Sequence, residues 1–190
     1  DYVDDIVITN LGTPDITAPS VTLTAPTSGS SVGGASVSLG ATATDDSSVA
    51  GVKFYVDGTL QGAEDTTSSY GVIWNSTATT SGAHTAFAVA RDTSNNYATS
   101  SSVSFTVDNT SPAISSVAST TTTTSGTITW ATDEAASTKV AYSSDLAYAS
   151  STPETDTGTR VTSHSKEISG LLSCTTYNFK AVSADAVSNY

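Results

Sequence analysis

Asp92-Thr93-Ser94-Asn95-Asn96-Tyr97 and Asp185-Ala186-Val187-Ser188-Asn189-Tyr190 are two versions of one turn, each entered from a run of small, alternating residues. The first leads into the strand-like stretch 98–107, whereas the sequence ends on the last residue of the second. The expectation is a structural unit stated twice, the second time without its closing strand.

Apolar and polar residues alternate with the period of a strand through both units, and no segment sustains a helical period. Strands are expected at 21–25, 37–44, 52–56, 60–63, 70–74, 85–90 and 103–107, then at 114–118, 126–131, 138–142, 165–168 and 176–183. Turn residues separate them. The stretch 26–34 is rich in Gly and Ser, Asp57-Gly58 tolerates the positive φ angles of a tight hairpin, and Ser81-Gly82 closes another turn. Short strands at this spacing define an all-β chain of two tandem immunoglobulin-like β-sandwiches, the second lacking its last strand. Trp130 is expected to fill the gap between two sheets of mostly small residues. Tyr177, after Gly170-Leu171, stands where a tyrosine corner belongs. The run Thr120–Thr124 reads as strand and turn.

Composition narrows the function. Eighteen acidic against six basic residues give a net charge of −12, Met is absent, and aromatics make up 7% of the 190 residues. Phosphate backbones and anionic membranes call for clustered cations, but Lys53, Arg91, Lys139, Arg160, Lys166 and Lys180 are scattered. Neither nucleic acid nor membrane insertion is expected, since no stretch approaches the roughly 18 apolar residues of a spanning helix. Asp1 does not open a signal peptide, so a processed or excised chain is expected. Cys174 is the single cysteine; it forms no internal disulfide and is either a buried thiol or a residue that pairs outside the chain.

Residues 15–108 resemble a bacterial Ig-like domain of the kind strung along large secreted proteins. The resemblance is carried by Asp15-Ile16-Thr17-Ala18-Pro19, by Val52-Lys53-Phe54-Tyr55-Val56-Asp57-Gly58 and by Ala90-Arg91-Asp92. Residues 111–190, within a second domain bounded at 109–190, resemble a fibronectin type III module. Here the matching residues are Ile128-Thr129-Trp130, Thr132-Asp133-Glu134 and Gly170-Leu171 through Tyr177 to Ala184. Residues 1–14 belong to neither module, and Asp1–Thr9 resembles the closing strand of a concanavalin-A-like jelly roll. The resemblance implies an extracellular or cell-surface setting and a scaffold rather than a particular activity.

A repeated group of carboxylates is the strongest candidate for chemistry. The start of the first strand, the loop after the second and the loop after the penultimate strand fall at one end of a sandwich. Those places hold Asp15, Asp45, Asp46 and Asp92 in the first unit, and Asp108, Asp133, Glu134 and Asp185 in the second. Calcium takes six to eight oxygen ligands, and carbonyls or Asn95 and Asn96 could complete a shell. A site at Asp108 would stiffen the link between the modules. The competing account has the same residues capping turns through hydrogen bonds to the backbone.

Catalytic patterns fail. Gly29-Ser30-Ser31-Val32-Gly33 matches the nucleophile-elbow string but lies between strands with no helix after it. His84 and His164 lack partners at metal spacing and are expected at edges or on the surface. Glu64-Asp65 and Glu154 with Asp156 read as solvated loop charges rather than a glycosidase pair. Among the aromatics, Tyr55, Tyr70, Trp74, Tyr142 and Tyr148 are candidates for stacking on sugar rings, with Trp74 read as core. Asn75-Ser76-Thr77 and Asn109-Thr110-Ser111 fit the glycosylation acceptor pattern.

The N-terminal stretch has the length and alternation of the strand that the second unit lacks. Tyr2, Ile6 and Ile8 would share one face, giving a strand-donor interface for head-to-tail assembly; otherwise the stretch ends a preceding domain. The expected function is a non-catalytic spacer or adhesion scaffold, holding neighbouring domains or identical subunits, with calcium as its one candidate cofactor. The alternative is an accessory carbohydrate-binding module of a secreted polysaccharide-degrading enzyme, with glycans as partners.

Overall fold

The computed structural model describes residues 13–190, so the donor-strand reading of Tyr2, Ile6 and Ile8 falls outside the described residues. Every regular element among them is a strand. In chain order these are β1 (Ser20–Ala25), β2 (Ser31–Val32), β3 (Val37–Thr44), β4 (Val49–Val56), β5 (Thr59–Asp65), β6 (Tyr70–Trp74), β7 (Gly82–Asp92) and β8 (Tyr97–Thr99). They continue as β9 (Val103–Val107), β10 (Ile114–Thr121), β11 (Ser125–Ala136), β12 (Lys139–Ser143), β13 (Ser150–Ser151), β14 (Val161–Ser169) and β15 (Asn178–Val182). Among the described residues no helix is long and apolar enough to cross a membrane.

Two compact units emerge. The first takes in the described residues up to Ser30 with Ser38–Trp74 and His84–Phe105; the second takes in Ser31–Val37, Asn75–Ala83 and Thr106–Tyr190. In the first, a three-stranded sheet of order β1-β3-β6 accompanies the run β9-β7-β4-β5, with β8 also on β7. Strict alternation on β7 turns Ala86, Ala88 and Ala90 inward. These small side chains leave room for large ones: Phe54 and Leu39 are fully buried, and Trp74 meets the Phe105 ring edge-on at 6.1 Å. The hairpin at Asp57-Gly58 has φ angles of 48° and 76°, both positive as its two-residue loop requires.

In the second unit the sheets run β10-β11-β14 and β13-β12-β15. Ile128, Trp130, Val140, Ile168 and Ala181 form its core, with Tyr142, Leu171 and Phe179 packed against them. Trp130 lies where the sequence places it, and its indole Nε1 donates to Ser183 Oγ at 2.9 Å. Tyr177 closes the expected corner, its hydroxyl accepting from the Leu172 amide at 3.3 Å. That corner occupies residues 171–177, so β15 starts later than expected. Within this unit β2 pairs with β9 in parallel, Ser31 opposite Thr106 and Val32 opposite Val107.

β2, β8 and β13 escape sequence reading because strands of two or three residues are held by backbone pairing alone and carry too few side chains to show a period. β10 departs in another way. It has the expected composition, yet all of its residues are exposed, because it is an edge strand paired only with β11.

Candidate metal centres

Of the three chain segments expected to converge in each unit, two bring carboxylates together in the first unit and all three do so in the second. In the first unit, ligand oxygens of Asp15, Asp45 and Asp46 lie within 4.8 Å of one another; in the second, those of Asp108, Glu134 and Asp185 do the same. Asp15 and Asp108 stand just before β1 and β10, and Asp45 with Asp46 follows β3. Glu134 lies near the end of β11, and Asp185 follows β15.

Much of each carboxylate's capacity is spent on the local backbone, as the turn-capping account expects. Asp15 Oδ1 accepts from the Thr17 amide at 2.9 Å, and Asp45 Oδ2 accepts from the amides of Ser47 and Ser48, both at 3.1 Å. The remaining oxygens are different. Asp15 Oδ2 and Asp45 Oδ1 are buried and have no hydrogen-bond partner among the described residues. A buried carboxylate oxygen without a donor is costly, and a cation is the species that would satisfy both at once.

Asp92 and Asp133 do not join the clusters. Asp92 is fully buried, and burial alone would raise its pKa. Both the side-chain amide and the backbone amide of Asn96 donate to it, at 2.7 and 2.8 Å, and the net effect lowers it. The same Asn96 amide donates to the Asp15 carbonyl at 3.2 Å, so Asp92 holds the chain that presents Asp15. Asp133 is exposed and accepts from the Ala113 amide at 2.7 Å.

Asp185 and Asn189 repeat the device. Asp185 accepts from the Val187 and Asn189 amides, both at 2.9 Å, and from Asn189 Nδ2 at 2.7 Å. Asn189 Nδ2 also reaches the carbonyls of Asp108 and Thr110, both at 3.1 Å. Asn189 was missed as a positioning residue, although its spacing from Asp185 equals that of Asn96 from Asp92. Glu134 has the opposite electrostatics: burial, then the charges of Asp108, Asp185 and Asp133, raise its pKa.

His164 corrects the expectation of a surface or edge histidine. It is buried, its ring stacked on Trp130 at 5.0 Å and held between Thr132 Oγ1 and Thr138 Oγ1 at 2.9 and 2.7 Å. Thr132 spends its proton on the Glu134 carbonyl at 2.6 Å, so Nε2 carries the ring proton and Nδ1 accepts from Thr138. His84 is half-buried and contacts Asp57 Oδ2 at 2.5 Å. Glu64 belongs to β5 and pairs with Arg91, its oxygens at 3.2 and 3.3 Å from the guanidinium, rather than being a solvated loop charge. Glu154 accepts from Ser137 Oγ at 2.5 Å. Cys174 is exposed, which removes the buried-thiol reading.

The aromatic candidates divide as well. Tyr70 and Trp74 are core, whereas Tyr55 is half-exposed and stacks on Phe87 at 4.9 Å with planes 5° apart. Tyr142 lies 6.5 Å from the Tyr177 ring.

Comparison with known proteins agrees with this architecture. Residues 19–88 match the family of bacterial Ig domains. Among solved structures, the FN1–FN3 domains of chicken CNTN1 cover 90% of this chain and 62% of their own at 10% identity, with a TM-score of 0.58. The fibronectin(III)-like modules of Clostridium thermocellum CbhA are 26% identical over 46% of this chain and 94% of theirs, with a TM-score of 0.42. The endo-β-1,4-mannanase of Thermotoga petrophila is 18% identical over 50% of this chain and 21% of its own, with a TM-score of 0.41. No curated protein matches the chain in sequence. Residues 19–88 are thus similar in sequence to bacterial Ig domains, and the fold of the chain is that of tandem immunoglobulin- and fibronectin-like β-sandwiches.

Proposed function

We propose that the chain is a non-catalytic spacer of an extracellular or cell-surface protein and that calcium at its two carboxylate clusters stiffens each unit. The observation that carries this reading is a group of three carboxylates in each unit, together with the unpartnered, buried Asp15 Oδ2 and Asp45 Oδ1. A hard cation takes all-oxygen ligands of this kind, and carbonyls and water would complete its shell. Each cluster joins the segment entering a unit's first strand to a loop of the same unit. Binding there would fix the direction in which the chain enters the sandwich, which is what a spacer requires.

Thermal melting of the chelator-treated full chain across a calcium series tests it. Calcium that binds only the folded state at a hundredfold its Kd adds about 2.7 kcal/mol, enough to raise Tm by several degrees. Asp15→Asn with Asp45→Asn should remove the first unit's share of that gain. An unchanged Tm would reject the cation sites. Head-to-tail assembly is a finer form of the same reading, and light scattering decides it: polymers that persist after residues 1–10 are deleted would rule out strand donation from that segment.

A further inference from the structure

We propose that the solvent-facing side of the first unit's β4–β7 sheet binds a neutral polysaccharide chain. Residues opposite one another in an antiparallel pair share a face, so register identifies what this side presents. One row is Leu60, Tyr55 and Phe87; the next is Lys53, Val89 and Thr99; beyond it Arg91 stands opposite Tyr97. The inward rows are Phe54 with Ala88 and Val52 with Ala90, all fully buried, which fixes the alternate positions as outward. Leu60 is 44% and Tyr97 57% exposed, while Tyr55, Phe87, Val89 and Lys53 are half-buried.

The rings of Tyr55 and Phe87 are stacked parallel, 4.9 Å apart, about the spacing of the adjacent strands that carry them, and form a cross-strand aromatic ridge on this side. Aromatic pairs left in contact with solvent on an outer sheet face offer apolar area at little cost in side-chain entropy. Around this ridge are hydrogen-bonding groups rather than more hydrocarbon: the Lys53 ammonium, the Thr99 hydroxyl and the Tyr97 phenol. That mixture suits a ligand with apolar C–H faces and a hydroxylated rim, which is the chemistry of a pyranose chain. Charge selects among such chains. The face's carboxylate, Glu64, is neutralised by Arg91, and no described carboxylate pairs with Lys53. The chain as a whole carries −12, which repels polyuronates and other polyanions.

Native gel electrophoresis of the full chain through soluble glucomannan, xylan, mixed-linkage β-glucan and, separately, polygalacturonate tests the proposal. At least one neutral polymer should retard the protein, and Tyr55→Ala should weaken that retardation by about tenfold, the loss of one stacking ring. Lys53→Ala, which removes a half-exposed side chain without touching the core, should weaken it to a smaller degree, and Tyr55→Phe should preserve it. The idea fails if none of the three neutral polymers retards the chain, if polygalacturonate alone does, or if Lys53→Ala and a folded Tyr55→Ala both bind as before. Self-association abolished by Tyr55→Ala would instead make the face a contact between copies and overturn the proposal.

Discussion

The environments of single ionisable residues set the chain's response to pH, and two of them act in opposite directions. His164 is buried between hydroxyls that fix its neutral tautomer, and desolvation lowers its pKa. The contribution of a histidine shifted this way is complete above the unfolded value, about 6.5, and is lost as pH falls below it. The second unit's Tm should therefore drop as pH is taken from 7.5 to 5, and His164→Gln should flatten that drop; an unchanged slope in the variant would count against the assignment. Glu134 behaves in reverse. With its pKa raised by burial and by Asp108, Asp185 and Asp133, its charged form is strained above its folded pKa, and the strain is relieved as pH falls through that value. In the presence of chelator at neutral pH, Glu134→Gln should raise Tm, while with calcium the same change should lower the gain the metal provides. Differential scanning calorimetry in both conditions reads the crossover.

At the scale of elements, pairing decides what the side chains can do. Gly33, just after β2, has no room for a side chain: a Cβ there would lie 2.0 Å from the Asp108 carbonyl oxygen. Gly33→Ala should displace the β2–β9 pairing and cost about 1–3 kcal/mol, seen as a lower urea midpoint, whereas Gly29→Ala meets no atom within 4 Å and is strained only by its φ of 74°. The strands that alternate over five or more residues, such as β3, β6 and β9, were legible in full from the sequence. Cross-strand partners were not, because alternation states which face a residue takes and never which residue lies opposite. Tyr55 could be suspected as a stacking residue, but its partner Phe87 depends on the β4–β7 register. His164 was misplaced for the same reason: its neighbours Trp130, Thr132 and Thr138 come from other segments. Six of the eight carboxylates gather as the loop positions imply. Asp92 and Asp133 stay outside these groups and are bound to amides, as Asp185 also is within its group, so spacing alone does not reveal which carboxylates gather.

For the whole molecule, the −12 charge means that any cation will stabilise the fold to some degree by screening, so calcium must be separated from salt. Specific sites should saturate at millimolar calcium or below, while sodium chloride of equal ionic strength leaves most of the gain unmade. Coincident melting curves in the two salts would reduce the clusters to surface charge. The parallel pairing of β2 with β9 bears on a different property, the response to force. A chain drawn out by its two ends would pull these strands past each other along their length, so that the bonds between them must break together. Antiparallel neighbours drawn apart at a hairpin lose their bonds in succession. The short ladder of Ser31–Val32 on Thr106–Val107 is therefore placed to act as a mechanical latch, resisting tension out of proportion to its contribution at equilibrium.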